Sequence, residues 1–201
     1  MSRQWRKVRV VKGSGWKMNS ANKLMFRPMT VAIVGAVMAL AVSDVYASET
    51  SAGGISLRAG AGEHYQRIEL AWESPSLWNY QFSGGYGRLD LVGELGVAHW
   101  NADGSRSPSN AWQFSAIPFL RWMLNDRYYI EAGVGPTVFT RTRFADKNIS
   151  TAFQFGDHIG VGAYLSDTSR LGLRFSHFSN ASIKKPNPGL NILQLTYTYQ
   201  Y

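Results

Sequence analysis

The sequence predicts an all-β fold, an eight-stranded antiparallel transmembrane β-barrel behind an N-terminal signal peptide. Three observations predict it. Apolar and polar residues alternate with period two in pieces of about ten residues, the length a tilted strand needs to cross a bilayer. The polar face of those pieces carries charges of both signs. Ahead of them lies a basic and then apolar segment that ends in small residues.

The N-terminal segment accounts for the overall charge. The formal net charge is +8, which on its own points to nucleic acid or an anionic surface. Residues 1–47 hold Arg3, Arg6, Lys7, Arg9, Lys12, Lys17, Lys23 and Arg27 against the single acid Asp44. Taking those eight from 21 bases and that one from 13 acids leaves 13 bases and 12 acids in residues 48–201. The body is nearly neutral, so no nucleic-acid partner is expected. The apolar run Val31–Val42 is about a dozen residues, short of the roughly 20 that a spanning helix needs. With Val45-Tyr46-Ala47 after it, residues 1–47 read as a cleaved signal peptide and 48–201 as the barrel domain. The basic stretch is long enough for translation to start at Met18 or Met25. The chain has no cysteine, which fits an exported protein without disulfides and a cytosolic one equally.

Strands are expected at roughly 53–61, 64–73, 86–100, 111–123, 127–140, 151–165, 170–179 and 190–201. Side-chain parity separates their faces. Leu89, Leu91, Leu95 and Val97 oppose Arg88, Asp90 and Glu94, and Trp112, Phe114, Ala116, Leu120 and Trp122 oppose Gln113, Ser115 and Arg121. Tyr128, Ile130, Ala132, Val134 and Val138 oppose Glu131. Leu171, Leu173 and Phe175 oppose Arg174 and Ser176, and Leu193, Leu195, Tyr197, Tyr199 and Tyr201 oppose Gln194, Thr196, Thr198 and Gln200.

A soluble sandwich also alternates. Arg58, Arg67, Arg88, Arg121 and Arg174 on the polar face are matched by Glu69, Glu73, Asp90, Glu94 and Glu131. That balance suits a narrow interior in which buried charges must pair. Trp72, Trp100, Trp112, Trp122, Tyr128 and Tyr201 are expected to bound the apolar face as aromatic girdles. The terminal pattern Leu195-x-Tyr197-x-Tyr199-x-Tyr201 looks like the last strand of an outer-membrane protein.

With both termini in the periplasm, the strand at 170–179 runs outward. His177 and Ser179 then lie roughly 18–23 Å up a band about 25 Å tall, in its outer-leaflet half. They share the face of Leu171, Leu173 and Phe175, so they point at lipid. Polar side chains there are costly without a partner or a task. A hydroxyl beside an imidazole is the first link of an activated nucleophile, although His-x-Ser alone is too short to establish catalysis. Asp157 lies on the same outward face of the neighbouring strand, where it either supports His177 by a hydrogen bond or is turned inward by a bulge. His64, His99 and His158 are scattered without metal-ligand spacing. No Gly-x-Ser-x-Gly elbow or dinucleotide fingerprint occurs, and no metal or cofactor is expected.

The segment Arg174-Phe-Ser-His177-Phe-Ser179-Asn180-Ala-Ser-Ile-Lys-Lys-Pro186-Asn187-Pro188-Gly189 resembles the C-terminal signature of the outer-membrane lipid A 3-O-deacylases. The similarity continues more weakly through Tyr129–Gly135 and Phe155–Gly162. The resemblance implies hydrolysis of the 3-O-linked acyl ester of lipid A in the outer leaflet, releasing a 3-hydroxy fatty acid. It implies Ser179 as nucleophile and His177 as base. Asn180 and Asn187 stand where they could donate to an oxyanion, and Lys184 and Lys185 where they could hold lipid A phosphates or remain solvated. Membrane lipid is the surrounding medium, and the oligomeric state, a homodimer included, is left open. One departure stands out: the family's acid early in the last strand corresponds here to Asn191. That substitution supports the alternative of an inactive structural or adhesive barrel.

Overall fold

The computed structural model describes residues 52–201. The expected signal segment, 1–47, lies outside the described residues. Eleven strands follow in order: β1 (Gly54–Ala61), β2 (Tyr65–Glu73), β3 (Trp78–Gln81), β4 (Arg88–Ala102), β5 (Asn110–Met123), β6 (Tyr128–Phe139), β7 (Arg143–Phe144), β8 (Lys147–Asn148), β9 (Phe153–Ser166), β10 (Ser169–Ser179) and β11 (Leu190–Gln200). Eight of them form one antiparallel ring, β1-β2-β4-β5-β6-β9-β10-β11, which the β1–β11 pairing closes. The expected eight strands are therefore present and joined without a free edge, which removes the unpaired backbone a bilayer would not tolerate.

Three short strands lie outside the expected set. β3 pairs with Arg88–Leu91 of β4, below the point where β2 ends. All four of its residues are exposed, so it lacks the two-faced pattern that marks the others. β7 and β8 form a two-stranded hairpin inside the loop between β6 and β9. Its turn residues Ala145 and Asp146 have φ of 52° and 64°, and neither is the glycine that usually signals such a turn. Phe144 and Ile149 of this loop are fully buried against Tyr65 and Trp100. The loop thus folds into the barrel mouth and plugs the end opposite the termini.

Below that plug the interior is ionic. Arg67 pairs with Glu69 at 2.6 Å and Glu69 with Arg58 at 2.9 Å. Arg58 binds Glu94, which also holds Arg174 at 3.0 Å. Arg174 reaches Glu131 at 2.6 Å, Glu131 meets Arg121 at 3.0 Å, and Arg121 meets Glu73 at 2.6 Å. Glu73 also binds Arg170. The result is one continuous chain of alternating sign, with no charge in it left alone.

The outer wall is apolar. Trp72, Trp122, Tyr128 and Tyr201 are exposed near the end that bears the termini, where Trp72 Nε1 donates to Tyr201 Oη at 2.8 Å. Trp112 is exposed near the other end. Trp100 corrects the expected girdle. It is 0% exposed and sits inside, where its Nε1 donates to Gln113 Oε1 at 2.6 Å. Its even number places it with Asp90 and Glu94 on the inward face of β4, and its ring packs on Phe139 and Phe178.

Removing one member of the ionic chain should be costly, because a buried charge without a partner typically costs about 3–5 kcal/mol. Glu94→Leu leaves Arg58 and Arg174 without their shared carboxylate. The variant is expected to lose about that much stability in urea titrations followed by heat-modifiable electrophoretic migration. An unchanged midpoint would show that the chain contributes little.

Candidate functional site

β10 ends where the inward residues change from charged to aromatic, Arg174 giving way to Ser176 and Phe178. Its odd residues face out, so His177 and Ser179 continue the outward row of Leu173 and Phe175. Both are only half-buried, because the loop after β10 folds back over them. His177 stands directly opposite Asn191 of β11 on one side and Asp157 of β9 on the other. Ser179 is opposite Phe155.

The closest contact is between His177 Nδ1 and Asn191 Oδ1, at 2.6 Å. An amide oxygen only accepts, so Nδ1 carries the proton and Nε2 keeps its lone pair. His177 and Ser179 themselves make no hydrogen bond. Two residues apart along a strand, their Cα atoms are separated by about 6.6 Å, and the imidazole is drawn sideways to Asn191. Such bonds often close only when substrate is bound. Asp157 is exposed on the outer wall, and no bulge turns it inward. It makes no hydrogen bond to His177.

Asn180 and Asn187 take different positions. Asn180 is fully buried, and its Nδ2 donates to Ile149 O at 3.2 Å and Lys184 O at 2.9 Å. Its amide is thereby spent on joining two loops, which corrects the expectation that it donates to an oxyanion. Its even number is the reason, since it points to the interior side of the wall. Asn187 Oδ1 accepts the backbone N–H of Asn180 at 3.2 Å. That bond fixes the Asn187 amide and leaves its Nδ2 free to donate. Ser150 Oγ donates to Pro186 O at 2.6 Å, a second tie between the loops. Lys184 and Lys185 are exposed on this loop.

Beside Asp157 the outer wall carries an apolar groove of about 530 Å³, lined by Leu91, Pro118, Leu120, Ala132 and Val134. The small side chains of Ala132 and Val134 leave the space between the larger ones.

Gly189 also has a part in the site. Its φ is +66°, and a Cβ there would lie 2.6 Å from His177 Cε1. The backbone of the loop therefore lies against the imidazole as a lid. A glycine at a loop end is the only trace of this in the sequence, and loops carry glycine for many reasons.

The profile of the family described as "Lipid A 3-O-deacylase (PagL)" matches residues 66–200. The lipid A deacylase PagL of Bordetella bronchiseptica is 60% identical over 164 residues, covering 82% of this chain and 92% of that protein. The lipid A deacylase PagL of Pseudomonas aeruginosa is 29% identical over 175 residues, covering 86% and 98%. A solved structure described as the crystal structure of the outer membrane enzyme PagL aligns with a TM-score of 0.62 at 26% identity, covering 74% of this chain and 99% of that one.

Gly189→Ala should push the imidazole off Asn191, through both the added methyl and the strained φ. The Nδ1–H resonance of His177 in detergent micelles is expected to shift or vanish while the barrel stays folded. An unmoved resonance would show that the ring is not held from this side.

Proposed function

The chain belongs to the lipid A 3-O-deacylase family, and from that premise we propose that it hydrolyses the 3-O-linked acyl ester of lipid A, with Ser179 as nucleophile and His177 as base. The single observation that carries the assignment is the 2.6 Å bond from His177 Nδ1 to Asn191 Oδ1, beside an outward-facing serine. It holds the tautomer in which Nε2 can accept a proton.

Lipid A reaches the site by lateral diffusion, with its ester beside Ser179. Nε2 of His177 takes the Ser179 hydroxyl proton as Oγ attacks the ester carbonyl carbon. The carbonyl oxygen becomes an oxyanion, and the free Nδ2 of Asn187 donates to it, a stabilisation of about 3–4 kcal/mol per donor in comparable sites. The intermediate collapses, the sugar oxygen leaves with the proton from His177, and the acyl chain remains on Ser179. Water, deprotonated by His177, then attacks the acyl-serine and releases the 3-hydroxy fatty acid and the free serine. The groove next to Asp157 offers the acyl chain an apolar seat, and Lys184 and Lys185 stand where lipid A phosphates would lie.

Asn191 occupies the place of the family's acid. A neutral oxygen orients the imidazole but gives the imidazolium formed in each step only a dipole. Asp157, on the other flank of His177, supplies the negative charge. Orientation and charge are thus divided between two residues that a single carboxylate otherwise combines.

Overproduction in a lipopolysaccharide-bearing bacterium should remove one 3-hydroxyacyl group from lipid A, read by mass spectrometry. Ser179→Ala and His177→Asn are expected to abolish that change with the barrel still folded. Asn191→Ala should lower the rate by up to about 10⁴-fold, the scale seen when a triad's third member is altered elsewhere. Intact lipid A in cells holding the folded wild-type barrel would instead favour an inactive structural barrel.

A further inference from the structure

Asn191 faces two ways. Its side chain points outward to His177, while its backbone N–H and C=O point along the sheet toward β1. β1 does not reach that far, for it stops at Ala61, whose partner is Leu193. Among the described residues no strand lies opposite Asn191 on that side. The gap is filled from the barrel interior by a single hydroxyl. Tyr65 Oη accepts the Asn191 N–H at 2.9 Å and donates to the Asn191 carbonyl at 3.0 Å.

This hydroxyl is held firmly. Tyr65 is 1% exposed, and its ring packs on Trp100 at 5.4 Å and Phe144 at 5.7 Å between centroids. Gly62 clears its path. A Cβ at position 62 would lie 2.1 Å from the Tyr65 ring and 2.5 Å from the Asn191 carbonyl oxygen. Gly62 N–H also donates to Tyr65 O at 2.8 Å, which closes the turn that brings the ring into place.

We propose that Tyr65 is a positioning residue for the hydrolytic site, acting through Asn191 on His177. The inference rests on the reading of His177 as the base. A carboxylate attracts an imidazole over several ångströms, but an amide oxygen acts only through a well-aligned hydrogen bond. With asparagine in the acid's place, the position of its backbone decides whether that bond forms. Tyr65 replaces the missing strand partner and fixes it. Tyr65 lies behind the wall and never meets the lipid, so it affects turnover and not substrate binding.

The test uses the folded, purified protein in mixed micelles with lipopolysaccharide. Tyr65→Phe keeps the ring and removes the hydroxyl. It is expected to lower kcat about tenfold, the scale of one displaced hydrogen bond, with KM and heat-modifiable migration unchanged. In an Asn191→Ala background the same change should cost nothing further, because its target is gone. The Nδ1–H resonance of His177 should shift in Tyr65→Phe, a readout that holds even if Asn191→Ala is too slow to measure. Unchanged kcat in Tyr65→Phe, an unmoved resonance, or equal losses in both backgrounds would overturn the proposal. Ser179→Ala is run alongside, and wild-type turnover in that variant would instead overturn the reading of the site itself.

Discussion

The alternating chain of arginines and glutamates through the barrel fixes which way every other side chain points. A strand's side chains change face at each residue, so Arg174 inside requires Phe175, His177 and Ser179 outside. A slip of one residue between β10 and its neighbours would expose Arg174 to lipid and bury His177. The bonds from Arg174 to Glu94 and Glu131 oppose that slip from two other strands. The same lock keeps Asn191 and Asp157 level with His177 on either side. The outward-facing site therefore depends on inward-facing charges that no substrate touches.

Above the ionic chain the interior turns aromatic, and the loops take over. Phe144 and Ile149 fill the mouth, and Asn180 ties their loop to the one that carries Asn187 and Gly189. This arrangement explains how a loop at the membrane surface can hold catalytic geometry. One amide of Asn180 joins two loops, and the Asn187 side chain takes up the N–H that Asn180 leaves. The proposed oxyanion donor is thereby oriented by a backbone group and not by chance packing.

Parity made much of this legible in the sequence. Odd and even positions put Arg58, Glu69, Glu94, Arg121, Glu131 and Arg174 on the inward face and His177 and Ser179 on the outward one, while for Asp157 they leave a bulge open that the structure does not contain. Trp100 follows its own even number into the interior and not the general preference of tryptophan for girdles. β7 and β8 escaped because two-residue strands show no period. The type of Asn180 suggests a donor near the nucleophile, but its even number turns it inward. Tyr65 and Gly189 act on the backbone of Asn191 and the ring of His177 across long sequence separations. Such contacts leave no local pattern, so only the fold reveals them.

The central claim is that Ser179 is a nucleophile activated on the lipid-facing wall. A long-chain alkyl fluorophosphonate, presented in micelles to the folded protein, tests it most directly, with the adduct located by peptide mass spectrometry. A single stoichiometric adduct on Ser179 is expected, and it should be lost in His177→Asn. No adduct on the folded barrel, or one on another residue, would contradict the claim.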